Sequence, residues 1–230
     1  MALPPGQRAV LGFPRFGVDV VHPPPQIPDG MSIEITGQLT RHVSLTSGDL
    51  ESLPRRIVVA DLHCVAGWSA LDLQWEGVAF PDLYRLVIEP ALIDPTKVGY
   101  IVFVGLDGFR SIVTLQDALV ENVVVADRLG GQPLTGDHGG PVRLVSPDQY
   151  GFVSTKHLCR IELLRSEPPG FYHPTKRVQR ALTMVRPHRR ARVAREERHR
   201  YLPSWLARRV YRLLVPLPAP PMPASFPVKE

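Results

Sequence analysis

The 230-residue sequence predicts an α+β domain, mixed and strand-rich, with a basic helical C-terminal extension. Three observations predict it. Stretches rich in β-branched residues outnumber those with helical spacing. The two kinds do not alternate as they would in a doubly wound sheet. After "SEPPGF" the character changes to Arg-rich and helix-permissive.

The elements follow in order. Residues 1–30 carry "PPGQ" and "HPPPQIPDG" and predict an extended Pro-rich arm rather than a packed element. "MSIEITGQL" alternates apolar and polar residues and predicts a strand. "TSGDLESL" predicts a short helix capped by Thr46 or Ser47. "RIVVADLHC" predicts a strand. "FPDLYRLVI", with Pro near its start and apolar residues at i, i+3 and i+4, predicts a short helix. "GYIVFVGLDG", "SIVTL", "NVVVADRL", "PVRLVSP" and "HLCRIELL" predict strands, with hairpin turns at "LDGF" and "LGGQPL". This gives an arm over 1–30, a domain over 31–167 and an extension over 168–230. In the extension Leu206, Val210 and Leu213 or Leu214 share one helical face, away from Arg208, Arg209 and Arg212. Its last dozen residues are Pro-rich and predict disorder.

Composition narrows the class. Apolar content of 44% excludes a disordered chain, and no apolar run approaches the roughly 18 residues that span a bilayer. The N-terminus has no apolar h-region and no twin arginine, and two cysteines make no disulfide framework. A cytoplasmic location is the expectation. The net charge of +5 is unevenly spread. Residues 171–230 hold 14 of the 27 Lys and Arg residues and 3 of the 22 acidic ones, so the body is acidic and the extension basic.

Two stretches carry chemistry. The first is "DLHCVAGWS", residues 61–69, where a strand ends on Cys64. A lone cysteine there reads as a small buried hydrophobe, as a nucleophile lacking a visible base, or as one thiolate on a soft, cofactor-held metal. His63, Cys64, His157 and Cys159 have zinc-ligand chemistry, but neighbours on a strand point to opposite faces. The second is "DHGGPVRLVSPDQYGFVSTK", residues 137–156. Gly139 and Gly140 allow close backbone approach, Arg143 suits a phosphate, and Ser154, Thr155 and Lys156 offer hydroxyls and a point charge. The plain alternative is a hairpin with solvated charges.

Together, "HCVAGWSALDLQWEGVAFPDL" and "DHGGPVRLVSPDQYGFVSTKHLCRIEL" resemble the sulfite oxidase family of molybdopterin enzymes over about residues 31–165. The resemblance implies the sulfite-oxidase fold and a molybdopterin cofactor carrying Mo. It implies Cys64 as the catalytic thiolate on molybdenum, with Gly67 and Trp68 shaping its turn. His138, Arg143, Ser154, Thr155 and Lys156 are the implied cofactor-binding residues. The departures are informative. "CVAGWS" lacks the arginines that follow the cysteine in sulfite oxidases proper. "GFRSIVTL" places Phe109 where the family has a tyrosine, and there is no haem-attachment motif. The stand-alone subunits, such as protein-methionine-sulfoxide reductase, are the nearer match.

The expected function is a molybdenum-dependent oxidoreductase that transfers an oxygen atom, reducing an S- or N-oxide with electrons from a separate partner. The alternatives are a sulfite-oxidising dehydrogenase and a non-catalytic scaffold. The expected substrate is a small molecule or sulfoxide. The expected electron partner is an acidic ferredoxin- or flavodoxin-like protein met by the basic extension. Peripheral contact with an anionic membrane, or wrapping of the chain's own acidic body, are the other readings of that extension. No nucleic-acid motif and no transmembrane segment is present.

Overall fold

The computed structural model describes residues 3–15, 23–168, 188, 190–199 and 202–214. Two mixed sheets form the body. The strands are β1 (Arg8–Val10), β2 (Ile33–Thr36), β3 (Val43–Leu45), β4 (Arg55–His63), β5 (Trp68–Ala79), β6 (Tyr100–Gly105), β7 (Arg110–Thr114), β8 (Val124–Leu129), β9 (Gln132–Pro133), β10 (Arg143–Val145) and β11 (Leu158–Leu164). One sheet runs β1-β5-β8-β10, with β4 on β5 and β9 on β8. The other runs β3-β2-β11-β6-β7. Ile33, Ile35, Phe103 and Ile161 of the second sheet share one apolar cluster with Val78, Val125 and Leu144 of the first. A smaller cluster around Trp68, Trp75 and Val124 takes in Cys64 and Phe13.

Local chemistry explains the short helices. Thr46 caps α1 (Ser47–Glu51): its hydroxyl accepts from the Asp49 N–H, and the Asp49 carboxylate accepts from the Thr46 N–H. α2 (Phe80–Leu83) continues as a wide turn over Tyr84–Ile88 and a tight one over Glu89–Ala91, where Pro90 interrupts the helical ladder. The end of "SIVTL" is no strand. Thr114 caps α3 (Leu115–Ala118) by accepting from the Asp117 N–H.

Three predicted features change. The 12-residue strand β5 went unread because Asp72 sits at φ +53 and interrupts its alternation, and the facing strand is irregular between Ala60 and Leu62. The arm over 1–30 is partly packed: β1 pairs in parallel with Trp68–Ala70 at the start of β5. The extension also packs in part. Residues 190–193 lie beside Asp148–Tyr150. The Tyr150 N–H donates to the Ala191 carbonyl at 2.8 Å and the Val193 N–H to the Asp148 carbonyl at 2.9 Å. Arg190 forks onto the Asp117 carboxylate at 2.9 and 2.8 Å. The predicted apolar face of α4 (Ser204–Leu214) is not its docked face. Among its described side chains Ala207 is buried and Leu206 half-buried, whereas Val210 and Leu213 are exposed. The rest of the extension, including its Pro-rich end, lies outside the described residues. Among the described residues no helix is long and apolar enough to cross a membrane.

Candidate active site

β4 delivers Cys64 to the turn of the β4–β5 hairpin. The Cys64 N–H donates to the Trp68 carbonyl at 2.8 Å, and the Gly67 N–H returns to the Cys64 carbonyl at 3.0 Å. Gly67 takes φ +96, a conformation that side chains resist, so a glycine closes this turn. The arm braces it: Gln7 Nε2 donates to the Cys64 carbonyl and the Arg8 N–H to the Gly67 carbonyl, both at 3.0 Å. Gln7 also accepts from Ser69 Oγ, which lies 2.8 Å from His63 Nδ1. Cys64 itself is half-buried. Desolvation pushes its thiol up to about 11, against smaller opposing contributions from a backbone hydrogen bond and Arg198.

The second stretch meets this hairpin directly: the Gly151 N–H donates to the His63 carbonyl at 2.8 Å. Behind it the predicted cofactor-binding residues converge, each by a different route. His138 is buried. Its Nε2 lies 2.7 Å from the Phe13 carbonyl, which can only accept, so that nitrogen carries the proton. Desolvation lowers its pKa and keeps the ring neutral. Arg143, 1% exposed, donates to the His138 carbonyl at 2.8 Å and the Ser154 carbonyl at 2.9 Å. Its guanidinium lies 5.2 Å from the Trp75 ring centre and 5.6 Å from that of Phe13. Arg143 therefore ties the "DHGG" and "STK" loops together.

Ser154 Oγ accepts from the Ser146 N–H. Thr155 Oγ1 pairs with Ser111 Oγ at 2.7 Å, which links it to β7. Lys156 is half-buried, and Nζ donates to the Asp137 carbonyl at 3.2 Å. Gly139 and Gly140 do not open onto space. A Cβ at Gly139 would sit 2.8 Å from the Lys156 side chain, and one at Gly140 would sit 2.1 Å from the Leu134 carbonyl oxygen. They serve loop packing. Phe109 lies at the exposed β6–β7 turn.

The zinc alternative fails on placement. His157 Nδ1 lies 2.7 Å from the Gly140 carbonyl, and Cys159 Sγ points to the Val104 carbonyl. No three potential ligands gather among the described residues. Sequence reasoning missed Gln7, Phe13 and Arg198, whose local sequence gives no sign of where they pack, and gave Trp75 as part of the motif without a role.

The donor set suits an acceptor-rich, soft-metal cofactor. It combines one sulfur with Lys156, on loops that the Arg143 guanidinium clamps. The fully buried Trp75 Nε1–H, beside Arg143, has no hydrogen-bond partner among the described residues. The family model "Oxidoreductase molybdopterin binding domain" matches residues 21–172. The chain belongs to this family. Within the molybdopterin-binding oxidoreductases it is 31% identical over 172 residues to an uncharacterised oxidoreductase, YuiH, of Bacillus subtilis, covering 74% of this chain and 83% of that protein. It is 29% identical to the sulfite oxidase of Arabidopsis thaliana, over 61% of this chain and 44% of the relative. It is 26% identical to the catalytic subunit MsrP of the Xanthomonas campestris protein-methionine-sulfoxide reductase, over 62% and 47%. The chain thus spans about half the length of those two relatives. The sulfane dehydrogenase SoxCD of Paracoccus pantotrophus shares the fold, with TM-score 0.54 and 18% identity over 62% of this chain and 40% of that one. The molybdopterin-binding oxidoreductase fold is thus shown for the body.

Lys156→Ala is expected to lower molybdopterin content per chain without unfolding the protein. A charge-assisted bond to a phosphate is worth roughly 1.5–3 kcal/mol, so cofactor retention should weaken about 10- to 100-fold. Cofactor analysis after gel filtration reads this out. Full cofactor with only a raised KM would reassign Lys156 to the substrate. Arg143→Ala is the less clean variant, because it also strands the carbonyls of His138 and Ser154.

Proposed function

We propose that this molybdopterin-dependent oxidoreductase reduces an S- or N-oxide, taking electrons from a separate acidic protein. The observation that carries this is the Cys64 turn: Val65, Ala66 and Gly67 bring no arginine, the thiol packs among Leu62, Trp68 and Ala70, and Arg198 beside the turn is fully buried with its terminal nitrogens on the carbonyls of Val65 and Pro5 rather than facing a substrate. A site built this way favours a neutral substrate dipole over a small dianion such as sulfite. The likeness to MsrP supports the same direction.

Cys64 supplies the thiolate, and the protein binds the cofactor's anionic end through Lys156 beside the Arg143-clamped loops. When bound, the cofactor supplies two-electron oxygen-atom transfer at molybdenum. Burial keeps the Cys64 proton in place in the cofactor-free chain, so loading releases that proton at Sγ. Neutral His138 holds the arm through the Phe13 carbonyl. Trp68 and Trp75, both buried, exclude water from the hairpin's inner face.

We place the protein in the cytoplasm, which agrees with Cys64 and Cys159 both being free thiols. The basic extension is read as the docking face for the electron donor, with exposed Trp205, Val210 and Leu213 on α4. A cofactor-competent preparation should hold about one molybdenum per chain and oxidise a reduced viologen dye with methionine sulfoxide or trimethylamine N-oxide. Zinc or no metal would overturn the reading. Sulfite-dependent reduction of ferricyanide with no oxide reduction would establish the second reading, which the likeness to a sulfite oxidase supports.

A further inference from the structure

We propose that Arg198, supplied by the extension, is a positioning residue for the Cys64 hairpin. It lies beyond residue 172, where the family match ends. Yet it is fully buried against the thiol-bearing turn. One terminal nitrogen donates to the Val65 carbonyl at 3.1 Å, and the other to the Pro5 carbonyl at 2.8 Å. The guanidinium lies 4.9 Å from the centre of the Tyr150 ring. A single side chain thus joins four segments: the arm, the cysteine turn, the "QYG" loop and the extension. A planar fork is needed to reach two carbonyls while stacking on a ring, and a lysine cannot reproduce all three contacts.

Its neighbours act on the same turn. Gln7 holds the Cys64 carbonyl, Arg8 holds that of Gly67, and Gly151 holds that of His63. Arg198 completes this ring of donors at Val65, the residue next to the sulfur-bearing one. The chain therefore needs its extension for a complete site wall, although the sequence places the site motifs before residue 165.

This inference rests on Cys64 being the metal's thiolate ligand, and its test has an arm that needs no metal. Arg198→Met keeps the packing on Tyr150 but removes charge and donors. In cofactor-free full-length protein, hydrogen–deuterium exchange of peptides spanning residues 62–68 should quicken about tenfold, the worth of one net hydrogen bond. Peptides from β6, β7 and β11 should be unchanged. In protein loaded with cofactor, molybdenum content should fall, and the electron paramagnetic resonance signal of the one-electron-reduced metal should shift. Arg198→Lys, which keeps a donor but not the fork, should fall between Arg198→Met and wild type in both exchange and molybdenum content. Wild-type exchange at 62–68 overturns the proposal. So does uniform quickening of all peptides, or collapse of both variants, since each makes Arg198 a general stability residue. If wild-type protein holds no molybdenum, the functional reading fails while the exchange result still stands or falls separately.

Discussion

Cys64→Ser is expected to keep the fold and bind the pterin while losing oxide reduction by more than about 100-fold. Outer-shell losses at metal centres alone cost roughly 10- to 100-fold, and this change removes the atom proposed to ligate the metal. A hydroxyl is harder than a thiolate and gives up its proton less readily, so it matches molybdenum poorly. The turn should tolerate the change. The contacts that define it run through the backbone of Cys64, Gly67 and Trp68, not through sulfur. Pterin content, molybdenum content and dye-linked turnover measured on one preparation separate the cases. A serine variant that turns over within tenfold of wild type would return Cys64 to the role of a small buried hydrophobe.

The second large effect is expected from ending the chain at Glu167. Such a chain loses Ala191, a fully buried member of the main apolar cluster, and the two-pronged ion pair of Arg190 with Asp117. It also uncovers the Tyr150 N–H and Gln149 Nε2, whose acceptors are the carbonyls of Ala191 and Arg190. Uncovering such groups costs on the order of 1–3 kcal/mol each where they stay buried, so a fall in Tm of about 10 °C or more is expected. Molybdenum retention should fall with it. Differential scanning calorimetry and metal analysis of the two chain lengths decide this. A truncated chain with wild-type Tm, full metal and full dye activity would make the extension a docking accessory and nothing more.

What was legible in the sequence divides by range. Strands such as "RIVVADLHC" and "NVVVADRL" declared themselves through β-branched runs between turns, and the Thr46 cap through its own spacing. β5 did not, because Asp72 takes a left-handed conformation mid-strand and both its ends are buried on successive residues. β1 is only three residues long, and its partner lies some 60 residues away. The chemistry-bearing residues Cys64, His138, Arg143, Ser154, Thr155 and Lys156 stood out as types within two motifs. Their division of labour did not. Nothing local says that Arg143 is occupied by carbonyls or that Thr155 reaches across to Ser111. Arg198 read as one more charge in a basic run. Its partners are 133 and 193 positions away, and no pattern within a window spans that distance.

Those separations set an order of events during synthesis. The turn around Cys64 is fastened by Gln7 and Arg8, made well before it, and by Arg198, made long after it. Contacts so distant in sequence close late, after the entropy of the intervening chain has been given up. A nascent chain still attached at its C-terminal end can form both sheets, since β11 ends at Leu164. It cannot form this fastening until about thirty further residues have emerged. Among the described residues the Cys64 face is therefore one of the last parts to become rigid, and a protein interrupted during translation carries a folded body around an unfinished turn.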